Sequence, residues 1–251
     1  MKSYNMNTRL FALFALAFAL TLPAKRALAL DEIYSPNVEE GEVSLEYNGG
    51  RTFDSKATKN DAESHEIALE YGVNSRWEVE TSAEYDKDPD SSIRLNDAEI
   101  ENRFQFFDAG KYWLDTGMLV AYDFALQSQQ PDNLEAKFLM QKDFGKITSR
   151  VNIGFDQDIG KYAGTGGPDY VFLMNTRYRY NIYFQPGIEI QSDLGQERAL
   201  GHFDEQQHYI GPAVYGKIFG RLHYEIGYYA GISDAAAQNA GRVLLEYEMH
   251  F

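Results

Sequence analysis

The residues most able to do chemistry here are five histidines and the hydroxyls and carboxylates near them. The histidines stand at 65, 202, 208, 223 and 250. A nucleophilic site needs a hydroxyl or thiol, a base within reach and a group that orients the base. His223 and Glu225 fall on one face of an extended segment, but no Ser accompanies them. Residues 193–208, DLGQERALGHFDEQQH, gather Asp193, Glu197, His202, Asp204, Glu205 and His208. These are suitable metal ligands, yet their spacing matches no standard site and no EF-hand pattern occurs. Residues 160–170, GKYAGTGGPDY, are Gly-rich but lack the Lys-Ser/Thr pair of a phosphate loop. The expectation is a non-enzyme with no cofactor and no resident metal.

The elements that carry these residues have the period of strands. Twelve segments alternate apolar and polar residues, from EVSLEYNG at 42–49 to GRVLLEYEMHF at 241–251. The tenth, HYIGPAVYG, contains Pro212, which removes a ladder donor and suggests a bulge. The connections alternate in length. Short ones are centred on Gly72–Ser75, Asp108–Lys111, Gly145–Lys146, Asn181–Ile182 and Ile218–Gly220. Longer polar ones cover 51–64, 86–95, 127–133, 158–169, 192–206 and 233–240. This is an up-and-down antiparallel meander of an even number of strands. Twelve are expected; ten or fourteen would follow from a split or merged hairpin.

The N-terminal residues give the compartment. Lys2 and Arg9 precede an apolar run from Leu10 to Leu22, then Pro23 and the small-x-small triplet Ala27-Leu28-Ala29. This is the pattern of a cleaved secretory signal peptide at 1–29. The run is too short for the ~20 residues of a spanning helix. Cleavage after Ala29 would remove Lys2, Arg9, Lys25 and Arg26 and no acid, taking the formal charge from −15 to −19. So acidic a chain repels phosphate backbones, and no nucleic-acid partner is expected. With no cysteine, an exported fold rests on hydrogen bonding and burial alone.

One face of the segments is apolar, with Val79, Ile100, Met118, Phe138, Val151, Ile226 and Leu245 at strand centres. Aromatic residues gather at strand ends. Tyr71, Trp77, Phe106, Tyr112, Tyr180, Tyr183 and Phe184 stand toward the short turns; Tyr47, Tyr85, Tyr122, Phe124 and Tyr228 stand toward the long loops. Two aromatic girdles around an apolar band are the pattern of a transmembrane β-barrel, which leaves no backbone group unpaired in lipid. The expected fold class is all-β, a transmembrane antiparallel up-and-down β-barrel of about twelve strands over residues 30–251.

The terminal LLEYEMHF, with Tyr247, Met249 and Phe251 at alternate positions, resembles the last strand of bacterial outer-membrane β-barrel proteins. EYGVNSRWEVE resembles the periplasmic hairpins of that class. The resemblance is to the broad porin-like class and singles out no family within it. It implies an outer-membrane location in a Gram-negative bacterium, lipid contact, and recognition of Phe251, Met249 and Tyr247 by the barrel-assembly machinery.

The alternate residues would then face a lumen. Its candidate lining residues are Glu78, Glu80, Glu99, Glu101, Arg103, Lys137, Arg150, Arg177, Arg179, Arg221 and Glu225. An acidic wall would face a more basic one. Two readings follow. Either the charges pair across a filled interior, or they line an open pore that favours cations and orients zwitterions. The expected function is a channel for passive or selective diffusion of small hydrophilic solutes. The alternative is a non-conducting barrel that binds a partner or stabilises the envelope through its long loops.

Overall fold

The computed structural model describes residues 30–250; the expected signal peptide, Met1–Ala29, and the terminal Phe251 lie outside the described residues. Alternation of apolar and polar residues builds twelve strands: β1 (Glu42–Phe53), β2 (Glu63–Asn74), β3 (Trp77–Lys87), β4 (Arg94–Gln105), β5 (Asp115–Ala125), β6 (Asp132–Phe144), β7 (Ile147–Ile159), β8 (Asp169–Tyr178), β9 (Gln185–Gln196), β10 (Gln207–Ile218), β11 (Leu222–Gly231) and β12 (Asn239–His250). Each pairs antiparallel with its sequence neighbours, and β1 pairs with β12 to close the barrel. The closing ladder runs unbroken from Glu42↔His250 to Phe53↔Asn239, so no strand edge is left open.

Alternate side chains point to opposite faces. The outward face is apolar: Leu45, Ile67, Leu69, Ile100, Phe138, Ile153, Ile188 and Ile226 are exposed on it. The inward face holds the charge, including Glu46, Glu70, Glu78, Glu80, Glu101, Lys137, Glu189 and Arg242, all buried. A soluble barrel would have the opposite arrangement, and an apolar belt around the circumference demands an apolar solvent. Among the described residues no helix is long and apolar enough to cross a membrane; the strands, of 10 to 13 residues, have the length to do so.

The short connections are 75–76, 106–114, 145–146, 179–184 and 219–221, all at one end. The β4–β5 connection is longer than the expected turn at Asp108–Lys111. It carries exposed Phe106, Phe107, Tyr112 and Trp113 at that rim. The long connections are shorter than the sequence suggests, because the paired strands run on into them. The longest, 197–206, contains two single-turn 3-10 helices, Glu197–Ala199 and Phe203–Glu205. Pro212 makes no bulge. It lies opposite Ile188 in an unshifted β9 ladder, and the β11 ladder skips Gly211 and Pro212 while keeping its register. The gap in pairing absorbs the missing donor. Register shifts occur instead at Gly72/Asn74, Glu84/Tyr85 and Tyr170/Val171.

At the long-loop end, the β1–β2 connection is clamped by charge. Lys87 donates to Asp61 at 2.5 Å and to Glu63 at 3.1 Å, and Arg51 pairs with the same two carboxylates. The Lys87 hydrogen bond holds the Asp61 carboxyl below its ordinary value.

Candidate functional site: the barrel lumen

The lumen has walls of different character. On β2, β3 and β4 carboxylates recur at the inward positions, Glu66 and Glu70, then Glu78 and Glu80, then Glu99 and Glu101, alongside Ser64, Ala68 and Ser82. The ladders set Glu80 opposite both Glu70 and Glu101. Arg103 answers part of this charge, pairing with Glu78 and, at 3.4 Å, with Glu70. Lys137 on β6 pairs with Glu135 at 2.7 Å. Carboxylate oxygens of Glu66, Glu80 and Glu99 lie within 4.8 Å of one another, a donor set suited to a hard cation. His223, Glu246 and Glu248 form a second such group near the short turns, where His223 and Lys217 already pair with Glu248.

Across the barrel, Glu189 is fully buried. Tyr215 and Tyr229 each donate to it at 2.5 Å, and Arg242 lies 3.1 Å away. Arg242 also pairs with Glu225 at 2.9 Å. Every lone pair of so deep a carboxylate must be met, and this network binds β9, β10, β11 and β12 together.

Between these walls runs a segment the sequence reading left without a role. Residues 30–41, LDEIYSPNVEEG, precede β1 and pass down the inside of the barrel. Leu30 lies at the long-loop end, in an apolar cluster with Tyr209, Tyr229, Ala236, Ala237 and Ala240. Glu40 and Gly41 lie at the short-turn end, where Gly41 N–H donates to Gly72 O at 2.8 Å and Ser75 N–H donates to Glu40 at 3.1 Å. Gly41 has φ +79°, the left-handed conformation that lets the chain turn from the lumen into β1.

The wall grips this segment by its backbone. Gln191 donates to Asp31 O (3.2 Å), Arg150 to Ile33 O (3.2 Å) and Arg103 to Ser35 O (3.4 Å). Val38 N–H donates to Gln105 Oε1 at 2.7 Å. Asn152 takes the N–H of Tyr34 on its Oδ1 (2.7 Å) and donates its Nδ2 to the Tyr34 carbonyl (3.1 Å). Side chains are gripped too. Tyr34 packs with Leu119, Ala121 and Leu139, and Arg103 and Lys137 stand 5.6 and 5.4 Å from its ring centroid. Ile33 is fully buried. A Cβ on Gly117 would meet Pro36 Cβ at 3.1 Å, so the wall is cut back where the segment passes. Ordering such a chain costs about 1–2 kcal/mol per residue. Burying each large apolar side chain returns about 1.5–3 kcal/mol, and each hydrogen bond about 1 kcal/mol.

Beneath it, toward the short turns, a cavity of about 500 Å³ remains. Glu32 and Ser35 of the segment form part of its lining. Glu46, Glu70, Glu78 and Arg103 line one side, and Arg150, Arg177, Tyr215 and Glu225 line the other. Arg177 lies 5.1 Å from the Tyr215 ring. Among the described residues it makes no ion pair, and its Nε has no partner.

The lumen therefore holds Glu78, Glu80, Glu99, Glu101, Arg103, Lys137, Arg150, Arg177 and Glu225, with Glu80, Glu99, Glu101 and Lys137 outside the lower cavity. Arg179 and Arg221 depart from the expectation that they line the lumen. Arg179 follows the end of β8 at the rim, where it pairs with Asp143 at 2.6 Å and caps Gly145 O. Arg221 is an exposed residue of the β10–β11 turn. Both have inward parity, but their strands end before they reach the interior. Tyr247 and Met249 lie on β12 beside β1; Phe251 is outside the described residues.

One hydroxyl–imidazole pair was hidden by its sixteen-residue spacing. Ser192 Oγ is 2.9 Å from His208 Nδ1, and Gln206 Oε1 is 3.1 Å from His208 Nε2. The pair is buried, Phe203 stacks on the imidazole at 4.2 Å, and the third group is an amide rather than a carboxylate. It fastens the 197–206 loop to the wall. The buried Leu119, Leu139 and Leu173 are among the lumen residues that sequence reasoning passed over, as are Asn152, Glu189, Tyr215 and Tyr229. For the leucines, inward parity on strands otherwise polar inside was the available signal.

No protein-family model matches the chain, and no curated protein matches it in sequence. Solved structures do match in fold. The KdgM porin is 9% identical with a TM-score of 0.58, over 82% of this chain and 99% of that one. A KdgM porin in complex with disordered oligogalacturonate gives a TM-score of 0.59 at 9% identity, with the same coverage. The NanC porin is 12% identical with a TM-score of 0.56, over 82% of this chain and all of that one. A closed twelve-strand barrel, apolar outside and charged within, has the fold of the outer-membrane porins.

Proposed function

We propose that this chain is an outer-membrane channel for small hydrophilic solutes, exported by the signal peptide at 1–29 and inserted in lipid by the assembly machinery that reads its last strand. The observation that carries the reading is the inverted barrel. Charged side chains face a closed interior with a cavity of about 500 Å³, and apolar ones face out. Diffusion through it is passive and favours cations or zwitterions. Carboxylates dominate β2 to β4, while Arg150 and Arg177 stand opposite in the lower cavity, a transverse field that orients a solute bearing both charges. An acidic saccharide like the one bound to KdgM would meet these two arginines and be repelled by the opposite wall.

The test is single-channel conductance of the refolded chain in a planar bilayer, with selectivity from the reversal potential. Steady conductance with cation preference supports the reading. The segment filling the lumen favours one second reading, a non-conducting barrel acting through its long loops. A folded, heat-modifiable barrel that never conducts, with or without that segment, would establish the second.

A further inference from the structure

We propose that the lumen is a recognition groove for an extended peptide, that residues 30–39 are its resident occupant, and that this occupant gates the conduit. The inference deepens the channel reading and rests on it. The wall reads backbone. Six polar contacts reach the main chain between Asp31 and Val38. Asn152 meets the N–H and the C=O of a single residue, Tyr34, the pairing one β-strand offers another. Leu119, Ala121 and Leu139 make an apolar pocket for the ring of that residue. Such a patch has no use in a wall that faces water. Lys137 stands 3.8 Å from Asp31, so the groove also reads an acidic residue three positions before the aromatic one.

With the signal peptide cleaved after Ala29, the segment is joined covalently to the wall only at the short-turn end, through Gly41. The cavity beneath it lies at that end. The long-loop end is closed over Leu30 by Ala236 and Ala237, with Ala237 N–H bonded to Tyr209 at 2.8 Å. The segment therefore leaves by swinging toward the short turns, and its departure joins the cavity to the acidic half of the lumen.

Three proteins test this in planar bilayers: the chain from Leu30, the same chain lacking residues 30–38, and a Leu30→Cys/Gly50→Cys pair. A Cβ on Gly50 would stand 3.7 Å from Leu30 Cβ, the span of a disulfide, and the chain has no other cysteine. The shortened chain is expected to conduct steadily, the oxidised pair to be silent and reductant to restore intermittent opening. A synthetic peptide of residues 31–39, DEIYSPNVE, should block the shortened chain, and a scrambled peptide should not. Asn152→Ala should raise the blocking concentration about tenfold, as expected for two lost hydrogen bonds. If the shortened chain does not fold, an Ile33→Gly/Tyr34→Ala chain takes its place. Equal conductance in all three proteins would overturn the gate and leave the channel standing. Silence of a folded shortened chain would overturn the channel reading and the gate together. Block by the scrambled peptide, or by oligogalacturonate as readily as by DEIYSPNVE, would replace peptide recognition with mere charge attraction and overturn the groove.

Discussion

The inward faces of β2–β4 and of β5–β7 belong to one barrel and differ in their balance of carboxylate and apolar side chains. The first presents Glu66, Glu70, Glu78, Glu80, Glu99 and Glu101. The second presents Leu119, Ala121, Leu139 and Asn152 beside Lys137 and Arg150, with the carboxylates Asp123 and Glu135 among them. Both are shielded from bulk solvent and both touch the occupant, the first through the polar Arg103 and Gln105 of β4, the second through an apolar cluster around Tyr34. A carboxylate wall must face water, ions or cationic groups, because a buried unpaired charge is too costly. A wall of Leu and amide must face chain. The lumen is thus divided between a conduit side and a docking side, with Arg103 and Lys137 at the boundary reaching both.

The largest effect is expected at that boundary. Arg103→Ala leaves Glu70 and Glu78 unanswered and removes a cation from Tyr34. Losing one partner of a buried pair costs about 3–5 kcal/mol, read as a lower unfolding temperature in detergent. Leu139→Ala opens a cavity on the docking side alone. It should cost about 2–4 kcal/mol, seen mainly as faster proteolysis of the 30–41 segment. Equal damage to the whole barrel would mean that the two walls do not divide the labour. Glu80→Gln with Glu99→Gln touches only the conduit side. Stability should change little, while the reversal potential of the conducting barrel moves toward zero; an unchanged potential would show that ions avoid this wall. The smallest effect is at the rim. Asp61 titrates below its ordinary value because Lys87 donates to it. Its contribution is complete above the unfolded pKa of about 3.9 and is lost as pH falls through the lowered folded value. Protease cleavage of the 54–62 loop should therefore stay constant from pH 7 to 5 and rise only in stronger acid.

The barrel was legible because its signals are local. The period of two fixes which side chains share a face, and alternating loop lengths fix an up-and-down order. Closure of β12 on β1 could be inferred from a last strand with one apolar face. The candidate site was legible by parity alone, which is why Arg179 and Arg221 were assigned inward: parity continues past the end of a strand, and the wall does not. Pro212 was misleading for a related reason. A missing donor predicts a defect only where the ladder needs that donor.

What the sequence by itself determined is the choice of solvent for each face, since hydrophobicity read at strand period depends on nothing farther away than the next residue but one. What only the tertiary structure decided is the occupant of the lumen. Tyr34 and Asn152 are 118 positions apart, and nothing in the composition of DEIYSP distinguishes a linker from a strand-like occupant. That distinction exists only once the barrel has closed and set Leu119, Leu139 and Asn152 around the path the segment takes.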